Sequence, residues 1–195
     1  MNQVPGEARC PGASARDVMR TDADGAPATL LTESYRFLGD EDLPVSRYTA
    51  QDFYNAEINR VWSRTWQWAC REEHVPEPGD YTVYDVGPYS VLVVRQTNGS
   101  IKAFVNACPH RGMQFAAAGS SGKGKQFLRC PFHRMSWTLA GKLREIPCRW
   151  DFPHVQDQHF GLDEVRTGLW GGFVFINLDT AAPPLDEYLA RTIHE

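Results

Sequence analysis

Residues 108–112 read Cys108-Pro109-His110-Arg111-Gly112, and residues 130–133 read Cys130-Pro131-Phe132-His133. Nineteen residues lie between His110 and Cys130. Each short loop supplies one thiol and one imidazole; the prolines stiffen both loops and Gly112 lets the first turn sharply. A mixed set of this kind suits a binuclear iron centre whose two metals want different ligands. Cys2His2 is also a tetrahedral zinc set, so a zinc-stabilised binding domain is the alternative. Zinc fingers pair Cys with Cys and His with His at their own spacings, whereas the order here is mixed within each loop, and iron is preferred.

The pattern is similar to the Rieske [2Fe-2S] arrangement, in which two histidines replace two cysteines on one of the irons. Two ferric ions and two sulfides together carry +2. Two thiolates and two neutral imidazoles therefore give a neutral oxidised cluster, where four thiolates would give a dianion. Reduction of the neutral centre costs less, so Rieske potentials run from about −150 to about +300 mV, against about −400 mV for the all-cysteine plant type. Respiratory Rieske proteins carry a further cysteine in each loop, joined as a disulfide; here Met113 and Phe132 occupy those places. They also place a hydrogen-bonding serine where this chain has Met135. Fewer hydrogen bonds to the cluster stabilise its reduced state less, which predicts a potential near the low end, about −150 mV.

The chain's 195 residues suffice for one well-cored domain, and its 42% hydrophobic content is ordinary. No stretch reads as a membrane span or a signal peptide, which predicts a cytoplasmic protein with no membrane partner. Five cysteines are present; Cys10, Cys70 and Cys148 lie outside the motifs and are read as reduced thiols. A net charge of −4 argues against general nucleic-acid binding.

Residues 1–45 read as a disordered or irregular arm rich in Gly, Pro, Ala and Asp. Thr49 is a candidate N-cap with Asp52 three residues on, and Phe53, Ile58, Val61, Trp62 and Trp66 recur at helical spacing, predicting an amphipathic helix to about Arg64. Strands are predicted at 66–71, 81–86, 90–96 and 101–106, with Asn98-Gly99 as a hairpin signal. Beyond the first motif come a Gly- and Lys-rich stretch at 119–125 and a short strand at 126–129. A hairpin of 135–139 with 142–146 turns through Ala140-Gly141. Two strands at 164–169 and 172–178 and a helix from about Leu185 complete the chain. No internal repeat stands out. The result is a mainly β fold, an antiparallel β-sandwich over 46–182, with a small cluster-binding subdomain inserted at about 104–150.

The helix leading into a tryptophan-rich segment, the Gly79-Asp80-Tyr81 before a strand, the two motifs, the Leu139-Ala140-Gly141-Lys142-Leu143 hairpin and the closing run 171–179 together resemble the N-terminal part of the alpha subunit of aromatic ring-hydroxylating (Rieske non-haem iron) oxygenases. The resemblance covers most of the chain after Thr49. It implies that Cys108 and Cys130 hold one iron and His110 and His133 the other, with Arg111, Gly112 and Trp137 shaping the loops. It also implies one-electron transfer from a ferredoxin or reductase to an adjacent oxygenase catalytic domain, in a homo-oligomer or alpha-beta oligomer serving aromatic compound catabolism. A complete stand-alone Rieske carrier or redox-regulatory module is the alternative.

Two departures stand out. Family members commonly have Gly-Trp after the second histidine, and this chain has Arg134-Met135, which bears on a left-handed backbone position. The family's mononuclear Fe(II), held by a 2-His-1-carboxylate triad, belongs to a C-terminal catalytic domain that this sequence is not expected to contain. Residues 183–195 are read as the start of a linker helix in a fragment. Asp151, His154 and His159 match the short part of the triad pattern in spacing, but they are read as surface or structural residues of a loop leading away from the cluster.

Overall fold

The computed structural model describes residues 13, 15–21, 25 and 42–190, in two compact units, 1–45 and 46–195. In the first, Ala15–Met19 forms a short helix, and the N–H and Oγ1 of Thr21 both donate to the Val18 carbonyl. Most of the arm lies outside the described residues, as does anything beyond residue 190.

The second unit holds ten strands: β1 Gln67–Arg71, β2 Tyr81–Val86, β3 Tyr89–Arg95, β4 Ile101–Val105, β5 Ser121–Gly122, β6 Leu128–Arg129, β7 Ser136–Trp137, β8 Leu143–Glu145, β9 Glu164–Trp170 and β10 Phe173–Asn177. Seven form one antiparallel sheet in the order β1-β10-β9-β4-β3-β2-β5, and β6-β7-β8 form a second. The run from Val91 to Val94 explains the layering. Side chains alternate across a strand, yet all four are buried, so β3 is covered on both faces. Val91 and Val93 join Ile101, Ala103, Val165, Val174 and Ile176 in one core. Leu92 and Val94 join Phe104, Leu128, Met135, Trp137 and Leu139 in the other, which also takes in Cys108 and Cys130. The inserted subdomain is therefore one wall of a core whose opposite wall is the main sheet. Its packing continues through Phe152, Val155, Phe160 and Leu162.

Turn chemistry sets the registers. Asn98 Oδ1 accepts from the N–H and hydroxyl of Ser100, and Gly99 N–H donates to Gln96 O, closing the β3–β4 hairpin as predicted. Gly79 has φ +85°, and a Cβ there would strike the backbone of Lys125. Beside it the buried Asp80 carboxylate accepts from the backbone N–H groups of Glu77 and Gly124. The Gly-Asp-Tyr sequence thus pins the Lys-rich loop to the start of β2.

The leading helix differs from expectation. Thr49 is not its N-cap but the last residue of a one-turn helix, Ser46–Thr49. Ala50, in extended conformation, precedes the helix Gln51–Glu57 without any side-chain cap. The backbone provides the handover: Ala50 N–H donates to Ser46 O while its own carbonyl accepts from Tyr54. A π-helical turn, Ile58–Trp62, continues the helix. Of the predicted apolar face within the helix only Ile58 is buried, while Phe53, Val61 and Trp62 are 36 to 46% exposed. Spacing gave the helix correctly, but within this chain that face is not a core face. Trp66 lies beyond it, buried, its indole N–H donating to Pro183 O.

Cys70 sits in the core with Val91 and Val93, where burial pushes its thiol up to about 11, with Arg95 lowering it and Glu72 raising it by lesser amounts. The folded state then holds the thiol proton more tightly than the unfolded chain, whose thiol titrates near ~8.5. That contribution to stability is complete below the unfolded value and is lost as pH rises through about 11. We expect urea midpoints to fall between about pH 8.5 and 11, and Cys70→Ala to flatten that fall; equal slopes for both proteins would refute the assignment.

Candidate functional site

The two motifs occupy matched turns. In the first, Cys108 N–H donates to Met113 O and Gly112 N–H returns to Cys108 O, both at 2.8 Å. In the second, Cys130 N–H donates to Met135 O at 2.9 Å and Arg134 N–H returns to Cys130 O at 3.2 Å. Each turn therefore spans six residues from Cys-Pro to Met, and the fifth residue carries a positive φ, +71° at Gly112 and +64° at Arg134. Replacement of the expected glycine by arginine has not changed the conformation. It has placed a side chain where L-residues lose about 1–2 kcal/mol. Arg134→Gly should raise stability by about 1 kcal/mol, read as a shift in the urea midpoint; a drop in stability would show that the Arg134 side chain outweighs its backbone strain.

Side chains from the two turns meet as like pairs. Cys108 and Cys130 are buried, 2% and 1% exposed, in one and the same core cluster. Burial, more than the neighbouring Cys130, pushes the Cys108 thiol up to about 11. His110 Nδ1 and His133 Nδ1 face each other at 3.2 Å. The rings are half-buried and cross edge to face, 4.7 Å between centroids. Burial, then the neighbouring His133, Arg111 and His154, hold the His110 imidazole below its ordinary range. The shift favours the neutral form, in which imidazole ligates metals. Among the described residues no three His, Cys, Asp or Glu side chains gather as a single-metal site. The arrangement is two plus two.

Support comes from residues that the motif does not reveal. Asn106, 1% exposed at the end of β4, donates through Nδ2 to Ser90 Oγ and Ala116 O, and its Oδ1 accepts from the N–H groups of Phe115 and Ala116. It binds the outgoing and returning limbs of the first loop. We expect Asn106→Ala to cost about 3 kcal/mol, since several buried groups lose partners at ~1 kcal/mol or more each, and to lower metal retention in parallel. Unchanged denaturation would exclude that role. A buried Asn directly after a strand of alternating apolar residues was the available signal.

Trp137 is fully buried; its indole N–H donates to Phe160 O at 2.8 Å and its ring packs edge-on against Phe115. Arg111 is exposed. The segment from Asp151 to His159 does not lead away from the site, as its position in the sequence suggested. Trp137 tethers its far end at Phe160, and Arg149 braces it by donating to Val155 O and pairing with Asp157. Phe152 thereby lies edge-on to His110, 5.4 Å between centroids. His154 and His159 share with His110 the wall of an open cavity of about 460 Å³. Cys148, in no disulfide among the described residues, is exposed.

No helix among the described residues is long and apolar enough to cross a membrane. Residues 65–156 match the family model of the Rieske [2Fe-2S] domain. The chain is 38% identical over 145 residues to chlorobenzene dioxygenase subunit alpha of Cupriavidus sp. (strain PS12), covering 74% of this chain and 32% of that protein. It is 34% identical over 183 residues to biphenyl dioxygenase subunit alpha of Metapseudomonas furukawaii, covering 86% and 40%. Among solved structures, naphthalene 1,2-dioxygenase from Rhodococcus sp. superposes with a TM-score of 0.68 at 28% identity, over 75% of this chain and 34% of the other. The apo form of a quaternary ammonium Rieske monooxygenase gives 0.70 at 25%, over 76% and 43%. The chain thus spans about a third to two-fifths of the length of these curated relatives. With the matched turns, the paired donors and these likenesses together, the chain carries a Rieske [2Fe-2S] domain of the aromatic ring-hydroxylating oxygenase alpha-subunit family.

Proposed function

We propose that Cys108 and Cys130 hold one iron of the [2Fe-2S] cluster and His110 and His133 the other, and that the domain passes single electrons as the electron-transfer part of a ring-hydroxylating oxygenase. The observation that carries this reading is the sorting of donors, the two thiols buried in one core cluster and the two imidazoles facing each other Nδ1 to Nδ1. A single tetrahedral zinc would instead draw at least three of the four together.

When bound, the cluster supplies a one-electron store at a potential set largely by its ligand charge. The chain's residues do the rest. Leu128, Met135 and Trp137 pack around the two thiols and keep water from them. The two imidazoles, half-buried, form the outward edge through which an electron enters and leaves. Trp137 spends its N–H on Phe160 and Met135 offers no donor, so side-chain hydrogen bonding to the cluster is sparse, in keeping with a potential near the low end of the Rieske range, about −150 mV. In the whole protein, a ferredoxin or reductase supplies electrons, and an adjacent catalytic domain with a mononuclear non-haem Fe(II) receives them, within a homo-oligomer or alpha-beta oligomer in the cytoplasm. The substrate is an aromatic or related compound.

The test is anaerobic purification, iron and sulfide assay, and EPR of the dithionite-reduced protein. Two irons per chain and a rhombic signal of low average g, typical of mixed ligation, are expected. Zinc with no EPR signal would overturn the proposal.

A further inference from the structure

His110, His154, Gln156 and His159 line one open cavity of about 460 Å³. So do Phe152, Val155 and Phe160, half-buried side chains packed against the core that holds the two thiols. Small-molecule sites commonly measure about 300–1,000 Å³, with apolar walls and a few polar groups. This wall is fixed by the fold: Trp137 ties the Phe160 carbonyl, and Arg149 ties Val155 O and Asp157. The Phe152 ring lies beside those of both His110 and His154, with centroids 5.4 and 6.4 Å away. The lining selects by charge, since none of the described residues around the cavity is Lys, Arg, Asp or Glu. An anion entering it would give up water for no countercharge, and so would a cation. A neutral imidazole presents one acceptor and one donor, and the Gln156 amide presents both kinds. Apolar walls with such groups suit a neutral aromatic ring that bears a hydroxyl.

Resting on the reading of His110 as a cluster ligand, we propose that this cavity binds a neutral hydroxylated aromatic compound of one or two rings, and that its occupancy lowers the potential of the cluster. Phe152, Val155 and Phe160 supply the apolar contact, and His154, Gln156 and His159 supply the hydrogen-bond partners for the hydroxyl. Reduction turns the neutral centre into an anion. An apolar ring that displaces water beside His110 disfavours that charge, because the shell around a metal site sets its local dielectric and with it the potential. By reciprocity the ligand binds the oxidised protein more tightly than the reduced one. Ring hydroxylation leads to compounds of this class, so the cavity lets their accumulation hold back the uptake of further electrons. Binding is non-covalent, and no bond forms or breaks.

The probe is 2-naphthol, whose single hydroxyl does not chelate iron and, like that of tyrosine, stays protonated at about pH 8. That pH lies above the ordinary imidazole range, about 6.5. Binding to the oxidised, cluster-loaded full chain is measured by equilibrium dialysis, and one molecule per chain is expected. Naphthalene, which lacks the hydroxyl, should bind about fivefold more weakly. The anion 2-naphthoate should bind at least about tenfold more weakly. The triple variant His154→Phe, Gln156→Leu and His159→Phe changes only exposed side chains. It should bind 2-naphthol and naphthalene equally. Saturating 2-naphthol should lower the potential of the unaltered protein by about 30 mV, the equivalent of about threefold tighter binding to the oxidised form at about 59 mV per tenfold. No binding, equal or tighter binding of 2-naphthoate, a hydroxyl preference that survives in the triple variant, or a potential that stays put or rises would each overturn the proposal. So would an affinity that falls as protein concentration rises, the mark of a second copy filling the cavity. EPR of the same samples reports separately on the cluster. A normal Rieske signal without ligand binding leaves the electron-transfer reading standing, whereas absence of that signal removes both.

Discussion

Cys108→Ser is expected to give folded protein with little or no iron. The substitution is nearly isosteric and leaves the turn intact, because the bonds that close it are backbone to backbone, from Cys108 N–H to Met113 O and from Gly112 N–H to Cys108 O. What disappears is the thiolate. A serine hydroxyl does not ionise near neutral pH, so one of the two negative charges that neutralise the cluster core is lost at a position only 2% exposed. No water can replace it there without opening the core formed with Leu128, Met135 and Trp137. Loss of a partner behind a metal ligand already costs about 10–100-fold in affinity, and loss of the ligand itself should cost more. Iron and sulfide content and visible absorption provide the readout. Cys148→Ser, at an exposed site, should retain the full cluster. A normal cluster in Cys108→Ser protein would falsify the ligand assignment.

A second large effect is expected from His133→Cys. If the cluster assembles, a third thiolate makes the oxidised centre an anion, and adding an electron to an anion costs more. The potential should move from about −150 mV toward the all-cysteine value of about −400 mV, a fall on the order of 100 mV or more. Geometry limits the yield. A cysteine sulfur reaches less far than imidazole Nδ1, so the second turn must move inward, and its return bond from Arg134 to Cys130 is already the longest of the four at 3.2 Å. Redox titration followed by EPR decides the matter. A potential that stays put or rises would show that ligand charge does not govern this centre.

Most strands were legible because their apolar residues alternate or, in β3, run unbroken between turn residues. Gly99 and Gly141 marked hairpins at places where the chain reverses. The motif residues were legible because thiols and imidazoles are scarce and their spacing is restrictive. Other features depend on groups remote in sequence or on the backbone alone. That Ala50 follows a helical turn rather than a cap could not be read, since backbone carbonyls supply the bonds that Thr49 was expected to supply. The exposure of Phe53, Val61 and Trp62 was hidden as well, because periodicity reports which side of a helix is apolar and not whether anything lies against it. Equivalence of the two turns is concealed in the sequence for a simpler reason: His110 is the third residue of its turn and His133 the fourth of its own, so the shared Cys-Pro start and Met end are masked by the shifted histidine. The fold-back of Phe152 onto His110 rests on an indole hydrogen bond spanning 23 residues and on the bracing of the segment by Arg149.

The matched turns carry a further consequence for speed. An electron arriving at a metal changes the preferred lengths of its bonds to the ligands, and the surroundings must adjust before the transfer can occur. Ligands on loose loops would add a large adjustment of protein and water to every transfer. Here the backbone at Cys108 and Cys130 is fastened in both directions within six residues, Asn106 clamps the first loop from behind, and Phe152 and Phe132 leave each imidazole little room to swing. Nuclear rearrangement on reduction should therefore be small, so that modest driving force and brief encounters suffice for turnover.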